Sequence, residues 1–162
     1  MLIKWEGYWD FVHVRKGKVI YEARMVKNAL VDQGEQLILD TIFRNQAITS
    51  QFFVGLANDV ISETDGLSDI AGEPGGNGYA RQALNRDLTD WPILVLHEGD
   101  YRTESKEVVF AASGGSIGPI NSAFLSTTLN NTGKLVAFIT LPLVRTILDG
   151  DEGFVKVRIK IK

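Results

Sequence analysis

The last stretch of the chain alternates cleanly between apolar and charged residues. Val155, Val157, Ile159 and Ile161 fall on one parity, and Lys156, Arg158, Lys160 and Lys162 on the other. A period of two with one charged face predicts a half-buried strand over 154–161. The basic row reads as a solvated face that resists edge-to-edge pairing; docking on an acidic partner is the other reading. Shorter runs rich in β-branched and aromatic residues predict further strands over 52–56, 79–84, 93–97, 106–112, 121–129 and 135–141. Glycine, proline and asparagine clusters separate most of them. Asn131-Thr132-Gly133 and the 149–153 segment (DGDEG) read as turns. The N-terminal segment carries Trp5, Tyr8, Trp9, Phe11, Val12 and Val14 ahead of Lys16-Gly17-Lys18, and 19–26 follows as a second arm of a long β-hairpin. Its apolar residues fall on both faces, with Trp5, Trp9 and Phe11 opposite Tyr8, Val12 and Val14. Such a hairpin is either sandwiched between layers or covered by a neighbouring subunit.

One segment breaks the β pattern. Over 32–44, Leu37, Ile38 and Ile42, with Leu30 before them, make a helical stripe that Leu39 and Phe43 widen. Asp32 followed by Glu35 predicts a capping box at its start. A stripe this broad predicts a helix lying on a core. The whole pattern predicts a mainly β protein, a jelly-roll-like antiparallel β-sandwich with one helix. It divides into a β-hairpin arm over 1–26 and a sandwich domain over 27–162.

Composition narrows the chemistry. The 162 residues contain no cysteine, which removes disulfides, thiolate nucleophiles and zinc–thiolate sites. A net charge of −3 gives no whole-protein basic field for nucleic acid. No apolar run is long enough to span a bilayer, and Glu6 and Asp10 near the start argue against a secretory leader. No cofactor or metal is expected. Gly114-Gly115-Ser116-Ile117-Gly118 fits G-x-S-x-G, but Pro119 leads into a strand where a nucleophile elbow needs a helix, and both histidines, His13 and His97, precede the serine. The 72–82 segment, GEPGGNGYARQ, lacks the ending of a phosphate loop and also runs into a strand. Its glycines read as turn residues. The carboxylates of the long 58–77 loop, with Asp149 and Asp151, read as solvated turns. Trp5, Trp9 and Trp91 are core or interface residues before they are sugar platforms.

The order of motifs is more specific than any one of them. A capped helix holds Gly34-Glu35-Gln36 and Ile38-Leu39-Asp40; Phe53-Val54-Gly55-Leu56 precedes the acidic loop; Gly72-Glu73-Pro74 leads to Gly78-Tyr79-Ala80-Arg81-Gln82. Then come the 113–119 run SGGSIGP, Ala123-Phe124-Leu125, Gly133-Lys134-Leu135 and the Gly150-Asp151 turn. Over 31–161 the chain resembles a family of small structural proteins of tailed bacteriophages, the capsid decoration (cement) and tail-fibre-like proteins. It departs from that family at Ile117, where an aromatic is common, and in the hairpin over 1–26. The resemblance implies a non-enzymatic virion protein, made in the host cytoplasm and bound as a homotrimer to the major capsid protein on the shell surface. A tail-fibre module that reads host glycan is the alternative. On the cement reading, contacts outside the protomer fall to Trp5, Tyr8, Trp9 and Phe11 of the hairpin and to Asp59, Glu63, Asp65, Asp69 and Glu73 of the loop, the carboxylates facing basic capsid residues.

Overall fold

A computed structural model of the protein describes residues 5–161. The start of the expected hairpin, residues 1–4, and Lys162 of the alternating row lie outside the described residues. The chain is mainly β with one helix. Its strands are β1 (Trp5–Arg15), β2 (Lys18–Leu30), β3 (Gln51–Ala57), β4 (Gln82–Asn85), β5 (Ile93–His97), β6 (Asp100–Glu104), β7 (Val108–Ala111), β8 (Ile117–Ser126), β9 (Leu135–Ile147) and β10 (Glu152–Ile161), and α1 spans Asp32–Phe43. All pairings are antiparallel, in the order β4-β3-β8-β9-β2-β1-β10-β6-β5, with β7 pairing β10 beside β6. The sheet curls, so that Trp9, Phe11, Val155 and Val157 from one half share a core with Val54, Leu56, Leu125 and Ile139 from the other.

The N-terminal hairpin is therefore not an arm. β1 lies inside the sheet, paired with β2 on one side and with β10 on the other from Trp5↔Ile161 to Val14↔Glu152. Trp9 and Phe11 are wholly buried in the protein's own core. The boundary expected between 26 and 27 falls within β2, whose Ala29 and Leu30 go on to pair with β9. Period-two patterning read the hairpin correctly. What it could not give was the second neighbour, because any strand apolar on both faces fits an interior position and a subunit interface equally well.

The helix also departs from expectation. Its N-cap is Val31, with no side-chain cap; Asp32 is the first helical residue, and the Glu35 N–H bonds the Val31 carbonyl at 3.0 Å. Only Gly34 and Leu37 are buried. Gly34 permits this docking, since a Cβ there would overlap the Val136 carbonyl of β9. The unpredicted strand β6 pairs back onto β5 through a turn at Glu98 and Gly99, both with positive φ.

Arg158 and Lys160 of the basic row are not solvated. Arg158 meets Asp10 at 2.8 Å and Glu104 at 3.2 Å, and Lys160 reaches Asp100 at 3.1 Å. Asp10, Glu104 and Lys160 are all buried. Burial alone would raise Asp10, but the Met25 N–H and the Arg158 guanidinium outweigh it and hold the carboxyl below its ordinary range. At the far end of β1, His13 is wholly buried. Its Nδ1 lies 3.2 Å from Arg145, a donor only, so Nε2 carries the proton and donates to Asp151 at 2.8 Å. Burial depresses His13 against the pull of Asp151. Hydrogen bonds from Arg15 bring Asp151 down to about 2.

Two outcomes follow from this placement. Removing residues 1–26 takes out an interior strand and two core aromatics, so the remainder is expected to be unfolded by far-UV circular dichroism. Acid should destabilise the intact protein in two stages. Both folded-state pKa values lie below the unfolded ones, so both contributions are present at neutral pH. That of His13 fades as pH falls below its ordinary 6.5, and that of Asp151 as pH falls from 3.8 towards about 2. Urea midpoints measured from pH 7 to pH 3 should decline, and Asp151→Asn should flatten the decline below pH 4.

Candidate functional site

The two glycine-rich stretches meet. The Asn77 side chain donates to the Ser116 carbonyl at 2.9 Å, and the Asn77 carbonyl accepts from the Ser113 N–H at 3.0 Å. Gly115 passes so close to Asn77 that a Cβ there would overlap its amide. Ser116 is exposed in this junction. His13 is committed to Asp151 and Arg145, and His97 lies beside Glu98 on the β5–β6 hairpin. Nothing in this arrangement assembles a nucleophile with a base.

Arg81 organises the remainder of the segment. Its guanidinium is almost wholly enclosed and forms a fork with Glu73, at 2.8 and 2.7 Å. It also donates to the carbonyls of Thr128 and Asn130 at 2.9 and 3.0 Å and lies 5.0 Å above the Phe124 ring. Tyr79 bonds Glu73 at 2.6 Å and accepts from the Leu56 N–H at 2.9 Å. Burial, helped by the Glu73 carboxylate, pushes the Tyr79 phenol well above its ordinary range. One buried cation thus ties the 72–82 segment to the β8–β9 turn. Such a bidentate pair is geometrically specific.

The acidic loop is likewise tied inward. Asp59 accepts from the Gly72 N–H at 2.7 Å, Asp65 from Ser62 at 2.7 Å, and Asp69 from Gly66 at 2.7 Å. Glu73 is held by Arg81. Four of the five carboxylates expected to face a partner hold the loop's own backbone or the Arg81 fork instead. Turn-forming Asp residues do this routinely, and the sequence offered that reading beside the other. Of the hairpin aromatics, Trp9 and Phe11 are core, Tyr8 is half-buried with its hydroxyl 3.4 Å from Glu6, and Trp5 is half-buried. Trp91 packs against the main core.

The open surface lies elsewhere. The outer side of α1 presents Leu39, Ile42 and Phe43, which are 54%, 64% and 75% exposed. With Ile38, Leu30, Trp5 and Ile161 they line a groove of about 760 Å³, and Lys27, Glu35 and Glu63 supply its charges. Trp5 and Glu63 are the two expected contact residues that the fold brings here. The helical stripe was visible in the sequence. Its exposure was not, because the close approach at Gly34 seats the helix on a narrow line and leaves the wider part of the stripe outside.

Fold and surface together define an antiparallel β domain with an open apolar groove beside its single helix. No family model matches the chain, and no curated protein matches it. Among the described residues no helix is long and apolar enough to cross a membrane.

The Arg81 arrangement has a measurable consequence. Arg81→Met keeps the apolar stem but strands Glu73 and the carbonyls of Thr128 and Asn130. It should cost about 3 kcal/mol of stability in denaturant unfolding and open the 72–82 segment to limited proteolysis.

Proposed function

We propose that the protein is a structural component of a tailed-phage virion, a cement protein that binds the major capsid protein on the outside of the shell, as a homotrimer. The resemblance of its motif order to that family is one support. The observation that carries the reading to a surface is the outward apolar stripe of α1 and the groove beneath it. Four large apolar side chains, Ile38, Leu39, Ile42 and Phe43, converge there. A patch of this kind marks an interaction site more often than a free surface, and an aromatic set among aliphatics is the usual anchor of an interface. The groove takes over the contact role first expected of the hairpin and the acidic loop. The curled sheet is read as a jelly-roll-like sandwich, its two halves facing each other across one core. Arg81 and the glycine junction keep the loops fixed, so the groove is presented by a rigid body. Many modest contacts of this sort, repeated around a symmetry axis, reinforce a shell through multivalency.

The test is binding to expanded capsids of the phage that encodes the chain. Wild-type protein should co-sediment with them, and a particle reconstruction should place it on the shell at a copy number set by the lattice. Phe43→Glu with Ile42→Asp should weaken binding by on the order of 100-fold while leaving the circular dichroism spectrum unchanged. Density confined to a tail or fibre, or no particle density at all, would overturn the reading.

A further inference from the structure

The two ends of the sheet are built differently. At one end, β4 has four residues, QALN, and its Leu84 is buried. The chain then turns under it, with the Arg86 N–H on the Ser50 carbonyl and the Asn85 N–H on Asp90. A short polar edge of this kind is protected against pairing. At the other end stands β5, ILVLH, paired only with β6 among the described residues. Its Ile93 and Val95 are each 38% exposed, Leu94 is 72% and Leu96 is 59% exposed, and Tyr101, across from Leu96, is 61% exposed. No acidic or basic residue stands between Trp91 and His97. A free edge that is apolar on both faces and carries no charged residue lacks the commonest guard of such an edge.

The register says what fits it. The β5–β6 turn is a two-residue type I′ turn at Glu98 and Gly99, with φ of 53° and 86°. Such a turn makes its flanking pair, His97 and Asp100, the hydrogen-bonded one. By alternation, Val95 and Ile93 also direct their N–H and C=O groups towards β6. Leu94 and Leu96 therefore direct theirs outward. Two copies of β5 laid antiparallel with Val95 on the twofold axis place Leu94 opposite Leu96 at both ends. Each of these is a hydrogen-bonded pair, so every outward donor of the strand is used. Shifting the register by two residues one way brings Pro92, which has no N–H, opposite Leu96, and the other way brings Leu94 opposite Glu98 in the turn; either shift loses bonds. The strand is self-complementary in one register. On one face that register gathers the Leu94, Leu96 and Tyr101 side chains of both copies.

We infer that β5 is a self-association edge, and that its partner is β5 of a second copy, paired about a twofold axis through Val95. An isologous contact of this kind closes at two chains, so in the proposed assembly it joins one trimer to another and is not the contact that builds a trimer. It does not depend on the virion reading and involves a different surface from the α1 groove.

Because the chain has no cysteine, the axis can be located covalently. In the proposed register two Val95 residues form a non-hydrogen-bonded pair, with Cα atoms about 4.5 Å apart, inside the range a disulfide accepts. Two Leu94 residues are offset along the strands and lie beyond it. Val95→Cys under mild oxidation should give a disulfide-linked dimer on a denaturing gel, and Leu94→Cys should give at least about 10-fold less. Leu94→Pro removes an outward N–H and leaves the β6 ladder intact. In sedimentation velocity over a range of concentrations it should weaken wild-type self-association by on the order of 10-fold or more. Equal cross-linking of the two cysteine variants, or unchanged association of Leu94→Pro, would overturn the inference. Cross-linking at Val95 in a protein that binds no capsid would leave it standing and remove only the virion reading.

Discussion

The pairing of β1 with β10 is the constraint on which the rest of the structure depends. It runs without a break from Trp5↔Ile161 to Val14↔Glu152 and joins segments separated by nearly the whole chain. It places Trp9 and Phe11 beside Val157 and Val155 on the inner face of the curl. On the outer face it sets Asp10 within 2.8 Å of Arg158. It also brings His13 to Asp151, at the turn that leads into β10. Contacts so distant in sequence must repay a large loop-closure entropy before they stabilise anything. The core cannot be assembled piecemeal: β6 and β7 have only β10 to pair with on that side, and β10 is fixed by β1.

That dependence explains which features were legible in the sequence. Local signals carried well. The Lys16-Gly17 turn, the helix after Asp32 and the alternation of β10 all report on neighbours in the chain, and all were read to within a few residues. The signals that failed were those set by distant partners. A basic row on alternate positions has the same pattern whether it faces water or faces Asp10 and Glu104. A hairpin apolar on both faces has the same pattern whether a subunit or β10 covers it. The strand β6, DYRTE, carries little hydrophobic signal because its Arg102 and Glu104 are spent on ion pairs. The type I′ turn at Glu98-Gly99 that creates it was not read from the sequence either.

The candidate surfaces invert the usual expectation about where function resides. The segments that draw attention in the sequence, GEPGGNGYARQ and GGSIGP, are tied inward through Asn77, Glu73 and Arg81. Their glycines serve close backbone approach and positive φ, and their polar residues satisfy one another. The acidic loop is similar, with Asp59, Asp65 and Asp69 satisfying its own N–H groups. Loops so fully bonded have little left to offer a ligand.

What the fold leaves available is plain hydrocarbon, on the outer turn of α1 and along β5. Neither carries a motif, and sequence patterning assigned both to ordinary elements. The reason is physical. A catalytic or metal site needs particular atoms at particular spacings and leaves a trace in residue identity. An association surface needs apolar side chains and free backbone groups, which are also the materials of a core. The difference between core and interface then lies in geometry alone: Gly34 decides how much of α1 is covered, and the phase of the Glu98-Gly99 turn decides which donors of β5 face outward. Those two local choices, each made by a residue or two, determine which apolar surface the protein keeps and which it offers.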